Sequence, residues 1–212
     1  MTKYIVNKGF SSSVERTPRV LEIAESFGLG LSEKRFVIYD HLNVEVKRGD
    51  VVYITGQSGS GKSLLLRELR DQMRLESRVV RDLDDIAFPD KPVVDCLGTT
   101  TSDALDLLAK AGISDAWIYI RKPKELSDGQ RYRLKLAMLM ADPHSEVWVA
   151  DEFGAVLDRI TAKCVAFNMQ KVARAMGKTL IVATTHTDLA DELAPSLKIT
   201  KRFREKVEIQ TK

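Results

Sequence analysis

Residues 51–63 read VVYITGQSGSGKS, a short apolar run followed by a turn rich in glycine and serine. The run 51–55 predicts a buried strand, and the leucine spacing after Lys62 predicts a helix. The turn 56–63 fits the pattern G-x-x-x-x-G-K-[ST] in full. Its glycines let successive backbone N–H groups face an anion, and the helix start adds the positive end of its dipole. The stretch therefore predicts a strand, a phosphate-binding loop and a helix.

This loop supplies the first candidate ligands of a nucleotide. We expect Lys62 to reach the β- and γ-phosphates, and the Ser63 hydroxyl to bind Mg²⁺. The alternative is a flexible turn without a ligand, against which the flanking strand and helix argue. The candidate nucleotide-binding residues are Gly56, Gln57, Ser58, Gly59, Ser60, Gly61, Lys62 and Ser63.

Ionisable side chains follow two further apolar segments. VWVADE (147–152) predicts a buried strand that ends in Asp151 and Glu152. Asp151 is expected near Mg²⁺, and Glu152 is expected to orient or deprotonate an attacking water. His186 ends TLIVATTH (179–186), at the strand end where open α/β sheets place ligands. The alternatives are solvated carboxylates and a structural histidine.

The order of elements predicts the fold class. Strands alternate with helices along the 212 residues, which favours an α/β core with a parallel sheet. Strands predicted at 20–27 and 35–50 form an antiparallel lobe before this core. Ser102 is expected to cap a helix over 102–113, and segments near 196–210 suggest a closing hairpin.

Composition limits the function classes. The chain is 44% hydrophobic and 30% charged, as in a globular protein. It has no apolar run of roughly 20 residues and no apolar leader, so we expect a cytoplasmic protein without direct membrane insertion. The cysteines and histidines match no metal spacing. The net charge is only +3, but 121–135 and 198–212 each hold six Lys/Arg against two acids, so nucleic acid is one candidate partner.

Five motifs together resemble the ATP-binding-cassette (ABC) ATPases, over about residues 20–193. They are GQSGSGKS as the Walker A loop, LSDGQ (126–130) as the signature, VWVADE as the Walker B strand, GAVLD (154–158) as the D-loop and TTHTDLA as the switch-histidine segment. The resemblance implies a P-loop NTPase fold with an ABC-type core. It implies a single domain over 1–212, with an antiparallel β lobe (about 20–55), a P-loop core (56–85 and 145–212) and a short helical subdomain (86–144).

The resemblance also implies residue roles. ATP held by one subunit's Walker A loop would be closed over by Ser127 and Gly129 of a second subunit, in a head-to-tail dimer. A serine helix cap and a glycine that permits close approach agree with this role. Glu152 would be the catalytic base, His186 a sensor and Asp158 an organiser of the dimer seam. Phe27 would stack on adenine, with Phe36 and Tyr39 as alternatives.

Three features depart from the family pattern. Asp128 replaces a signature glycine, and its carboxylate has to point away from the phosphates. No glutamine lies between Gln72 and Gln130, where the Q-loop belongs, and Asp84, Asp85, Asp90 and Asp95 are candidates to take over its contact. Only 64 residues separate Lys62 from Ser127, fewer than transport cassettes need.

These departures favour a soluble ABC-type ATPase over the ATP-binding subunit of a membrane transporter. We expect ATP and Mg²⁺ as cofactors, an ATP-dependent homodimer or heterodimer, and a nucleic acid or protein partner. A P-loop small-molecule kinase is a further alternative, but it does not account for LSDGQ, AVLD and His186 together.

Overall fold

The computed structural model describes residues 2–203 and 205–211, without the side chains of Lys34 and Arg35. Arg204, part of the basic segment 198–212, lies outside the described residues. The chain forms two compact units, a smaller one of Lys3–Val44 and a larger one that contains Thr2 and the described residues from Glu45 onwards. Among the described residues, no helix combines the length and hydropathy that a bilayer crossing requires.

The smaller unit contains a strand pair and a helix. Strand β1 (Thr2–Ser12) pairs with β2 (Lys34–Val46), which confirms an antiparallel N-terminal pair. The strand predicted at 20–27 is wrong, because helix α1 spans Pro18–Ser26. Thr17 caps this helix by accepting a hydrogen bond from the Val20 amide at 3.3 Å, and Pro18 presets the helical φ angle of its first turn.

A six-stranded sheet forms the centre of the larger unit. Its order is β4-β5-β6-β3-β7-β8, and all neighbouring pairs are parallel except the antiparallel pair of β7 and β8. This confirms the parallel core and the closing hairpin. The strands are β3 (Val51–Gly56), β4 (Val80–Asp82), β5 (Val147–Ala150), β6 (Thr179–Thr184), β7 (Leu197–Lys201) and β8 (Glu208–Thr211).

Several helices of the larger unit pack on this sheet. Helix α2 packs on β3, β4 and β6, while α6 packs on β6 and on α5. The predicted helix over 102–113 is confirmed, but Thr100 and not Ser102 caps it, since the Thr100 hydroxyl accepts from the Asp103 amide at 3.2 Å. The helices are α2 (Lys62–Leu75), α3 (Thr101–Lys110), α4 (Ala116–Tyr119), α5 (Asp128–Met140), α6 (Arg159–Ala175) and α7 (Ala190–Leu193).

The sheet brings the predicted motifs to one edge. Strands β3, β5 and β6 are fully buried and run parallel, so their carboxyl ends meet at the same side of the sheet. The phosphate loop follows β3, Asp151 follows β5, and His186 follows β6 after one residue. Hydrophobic burial of these strands thereby fixes the position of the candidate site.

Candidate active site

The phosphate loop depends on glycines for its shape. Gly56 has a φ angle of +141°, and a Cβ atom there would lie 1.9 Å from the Lys201 carbonyl oxygen. Gly61 has a φ angle of +103° at the N-cap of α2. Only glycine adopts both conformations without strain, so the backbone can pass β7 closely and then turn into the helix.

Lys62 projects into the loop from the first residue of α2. It is only 8% exposed, and its Nζ atom donates to the Gln57 carbonyl oxygen at 2.6 Å. Burial lowers the pKa of Lys62, while the charges of Asp151 and Glu152 oppose that shift. The buried cation lacks a carboxylate close enough to form an ion pair among the described residues, so it is available to an incoming phosphate.

Ser63 and Asp151 meet across the sheet edge. The Ser63 hydroxyl donates to Asp151 Oδ1 at 3.0 Å, and Arg67 lies 3.8 Å from Asp151 Oδ2. A hydroxyl beside a largely buried carboxylate is a donor set that suits Mg²⁺. The two residues predicted as metal ligands are therefore adjacent.

Glu152 occupies a constrained turn directly after Asp151. Its φ angle is +47°, a left-handed conformation that is uncommon outside glycine. Its amide donates to Asp151 Oδ1 at 2.9 Å, and the amide of Phe153 donates to the Ala183 carbonyl oxygen at 2.8 Å. These bonds tie the turn to its own strand and to β6.

A cavity of about 560 Å³ joins these groups. Its size and polar lining fit a bound nucleoside phosphate. In the phosphate loop, the Ser60 hydroxyl is buried and has no hydrogen-bond partner among the described residues. Gly56 and Gln57 instead line a second cavity beside β7 and β8. The first cavity is lined by Ser58, Gly59, Gly61, Lys62, Ser63, Asp151, Glu152, Ala155, Ala183, Thr184 and Thr185.

His186 lies beside this cavity and is half-buried. Its carbonyl oxygen accepts hydrogen bonds from the hydroxyls of Tyr53 and Thr55, and its amide donates to the Thr184 hydroxyl at 3.1 Å. A Cβ atom built on Gly154 would lie 4.0 Å from His186 Cδ2. The imidazole is therefore close to the turn that follows Glu152.

The signature residues lie at the start of α5. The Ser127 hydroxyl accepts from the Gln130 amide at 3.3 Å, and the Gln130 side chain accepts from the Ser127 amide at 2.9 Å. A Cβ atom on Gly129 would lie 3.4 Å from the Val156 carbonyl oxygen, so the signature packs closely on the D-loop. Neither Ser127 nor Gly129 is among the described residues that line the phosphate cavity.

Asp128 is neutralised on its own helix. Its carboxylate forms an ion pair with Arg131, and Arg131 also donates to the Leu126 carbonyl oxygen at 2.7 Å. The carboxylate is thereby turned along the helix and its charge is balanced. Asp158, in the D-loop, caps α6 by accepting from the Thr161 amide at 2.9 Å. Hydrogen bonds from the Thr161 hydroxyl and then from its amide lower the pKa of Asp158.

The four aspartates considered in place of the Q-loop glutamine differ in their surroundings. Asp85 pairs with Arg74 at 2.8 Å, and Asp90 pairs with lysines of the segment before the signature. Asp84 forms no ion pair within the described part of the chain. Burial and then the charge of Asp82 raise the pKa of Asp84, with a smaller contribution from Asp151. Asp84 follows β4, the neighbour of β5, so that its charge interacts with that of Asp151.

Phe27, predicted to stack on adenine, belongs to the smaller unit. It follows α1 and is 75% exposed. Tyr39 is 1% exposed, as expected of a core residue of the smaller unit, and Phe36 stacks on Phe10 with ring centroids 5.1 Å apart. The adenine contact therefore stays a prediction for Phe27.

Sequence reasoning missed Tyr132, Arg131 and Thr185. Tyr132 is half-buried on α5 and accepts a hydrogen bond from the Gly154 amide at 2.9 Å. No sequence motif identifies Tyr132, because a single tyrosine is an ordinary residue of an amphipathic helix such as α5. Arg131 could have been found from its spacing of three residues after Asp128, which places the two on one helix face.

Comparison with known proteins identifies relatives. A family model described as ABC transporter matches residues 39–94. The chain is 30% identical over 185 residues to the aliphatic sulfonates import ATP-binding protein SsuB 2 of Rhodococcus jostii, covering 78% of this chain and 73% of the relative. It is 25% identical over 191 residues to the methionine import ATP-binding protein MetN of Clostridioides difficile, covering 72% of this chain and 57% of the relative.

A solved structure shares the fold. The dimeric post-hydrolysis state of the ATP-binding cassette MJ0796, bound to ADP and Pi, has a TM-score of 0.67 at 17% identity. The match covers 99% of this chain and 98% of that chain. The chain spans between 29% and 58% of the length of the first four curated relatives that it matches.

Proposed function

Because the chain belongs to the ATP-binding-cassette (ABC) family of ATPases, we propose that it hydrolyses Mg·ATP in the phosphate cavity and uses the reaction as a conformational switch. The observation that carries the proposal is the meeting of the phosphate loop with Asp151 and Glu152 in one cavity of about 560 Å³. Each residue type there has a distinct task in moving a phosphoryl group to water.

The proposed roles follow from the geometry. Lys62 binds the terminal phosphates, since it is a buried cation at the N-terminus of α2. Ser63 and Asp151 hold Mg²⁺, which when bound neutralises charge on the phosphate oxygens. Glu152 orients the attacking water and accepts its proton. His186 lies next to the Glu152 turn and acts there as a sensor of the terminal phosphate.

A head-to-tail dimer would complete the site. Ser127 and Gly129 lie outside the cavity of their own chain but present a helix N-terminus, which binds anions. The ion pair of Asp128 with Arg131 removes the net negative charge that would repel a phosphate there. The solved structures of MJ0796 are dimeric, which supports the same arrangement for this chain.

The partner proposed from the comparisons is a transporter. Both relatives described above are import ATP-binding proteins, and this favours the transporter alternative over the predicted soluble switch with a nucleic acid or protein partner. One observation favours the soluble switch as a second candidate. Only 64 residues lie between Lys62 and Ser127, fewer than transport cassettes need. The cytoplasmic location stays a prediction.

The substitution Glu152→Gln tests the hydrolytic role. It keeps the shape of the side chain but removes the base, so ATP turnover should fall by about 10²- to 10⁴-fold while ATP binding persists and a dimer accumulates. The measurements are phosphate release and the molar mass in Mg·ATP. Glu76→Gln, at the end of α2, is the matched control and should retain both wild-type values. Normal turnover of Glu152→Gln would exclude Glu152 as the base.

A pull-down with the same variant tests the partner. Tagged Glu152→Gln loaded with Mg·ATP is recovered from detergent-solubilised host extract, with and without nuclease. Recovery of a nuclease-resistant membrane protein would support the transporter. Loss of the captured partners on nuclease treatment would support nucleic acid instead.

A further inference from the structure

We propose that Tyr132 is a positioning residue for Glu152, connecting the signature helix α5 to the turn that carries the catalytic base. The proposal rests on the function proposed above for Glu152. It concerns a residue that touches neither the phosphate cavity nor the reacting atoms.

The contact that carries the proposal is a single hydrogen bond. The Gly154 amide donates to the Tyr132 hydroxyl at 2.9 Å, across 22 positions of sequence. Burial raises the pKa of Tyr132 above its ordinary value, and the Gly154 contact only partly offsets this. The hydroxyl therefore stays neutral at physiological pH, and its oxygen accepts the hydrogen bond of the Gly154 amide.

The turn that receives this bond needs external support. Glu152 has a φ angle of +47°, and Gly154 has one of +75°. A glutamate in the left-handed region is strained, and it keeps this conformation only when its surroundings hold it in place. Hydrogen bonds at Glu152 and Phe153 fix the first half of the turn, and the Tyr132 hydroxyl fixes the second half.

The start of α5 explains how this hydrogen bond could respond to dimer closure. Tyr132 lies five residues after Ser127, on the helix whose first turn would contact ATP of a partner subunit. Gly129 also packs against the D-loop at Val156. A shift of α5 when the dimer closes would thus reach the Glu152 turn of the same chain directly through Tyr132. This would link closure over one ATP to the geometry of the base at the other.

Tyr132→Phe removes only the hydroxyl and is the first variant to make. Tyr119→Phe is the matched control. The hydroxyl of Tyr119, on α4, likewise forms a hydrogen bond with the backbone, although as a donor, to the Ile113 carbonyl oxygen at 3.3 Å. We expect kcat of Tyr132→Phe to fall about tenfold with KM for ATP unchanged, as expected when base geometry and not binding is affected. Tyr119→Phe should keep the wild-type kcat.

Amide hydrogen exchange gives a readout that does not depend on activity. In the nucleotide-free protein, exchange at 152–154 should accelerate about tenfold in Tyr132→Phe and stay unchanged in Tyr119→Phe. Unchanged exchange at 152–154, or equal loss of kcat in both variants, would overturn the proposal. Faster exchange in a protein whose wild type does not hydrolyse ATP would instead leave the Tyr132 link intact and refute the proposed hydrolysis.

Discussion

At the scale of single residues, the surroundings of Asp84 disfavour its charge. Partial burial and the charge of Asp82, itself paired with Arg70 at 2.7 Å, raise the pKa of Asp84 above its ordinary value of 3.8. The folded state therefore binds this proton more tightly than the unfolded state does. The resulting stabilisation is complete below pH 3.8 and is lost as the pH rises through the folded-state pKa.

Asp84→Asn should therefore raise the free energy of unfolding at pH 7, because the amide cannot ionise. The gain should shrink as the pH approaches 3.8, where the wild-type side chain is protonated in both states. Urea unfolding at several pH values measures this. Asp85→Asn is the control and should lower the free energy of unfolding by about 0–1 kcal/mol, because it breaks the ion pair with Arg74. A destabilised Asp84→Asn at pH 7 would show that the ionised carboxylate has a favourable contact.

At the scale of elements, α3 and α5 begin with the same type of cap. In each helix a hydroxyl at the N-cap accepts from the third amide, and the third side chain accepts from the N-cap amide. The two helices differ in function, because only the first turn of α5 is proposed to meet ATP. Removing each cap in a separate variant therefore distinguishes an effect on helix stability from an effect on nucleotide recognition.

Ser127→Ala and Thr100→Ala should each destabilise the protein by about 1 kcal/mol, the usual effect of losing an N-cap side chain. Only Ser127→Ala should weaken ATP-dependent dimerisation when combined with Glu152→Gln, because only the Ser127 hydroxyl is proposed to contact ATP of the partner subunit. Thermal unfolding and analytical ultracentrifugation in Mg·ATP provide the two measurements. Equal dimerisation of both variants would mean that Ser127 is a cap alone.

At the scale of the whole molecule, the proposed head-to-tail dimer would divide each site between two chains. The phosphate loop would come from one chain and the signature from the other, so a pair of differently mutated chains would still form one intact site. Lys62→Ala removes the loop cation, and Ser127→Arg blocks the signature. Each variant alone should lack turnover.

Mixing Lys62→Ala with Ser127→Arg should restore turnover, to roughly a quarter of the wild-type rate if pairing is random. The intact site combines Lys62 of one chain with Ser127 of the other. ATPase assays over a range of mixing ratios measure the recovery, with two preparations of Lys62→Ala mixed as the control. An inactive mixture would argue that each chain contains its complete site.

Much of the fold was predictable because the motifs are local. The phosphate loop, β5, α6 and the closing hairpin follow from hydrophobic periods and turn residues within short windows. The strand predicted at 20–27 was wrong because Thr17 and Pro18, just before it, decide a helix start that outweighs the apolar run. The predicted cap of α3, Ser102, was also wrong. Three neighbouring hydroxyl residues precede Ser102, and one of them, Thr100, is the N-cap.

The family, the α/β core and the candidate residues of the phosphate loop, Asp151, Glu152 and Ser127 could be predicted without a structure. Each of these depends on residue type at short spacing, which the chain carries locally. The folded chain was needed to show that the charge of Asp84 interacts with that of Asp151, that Arg131 pairs with Asp128 and that the Tyr132 hydroxyl accepts from the Gly154 amide. The parallel sheet and the packing of α5 bring distant residues together, and no local pattern encodes such contacts.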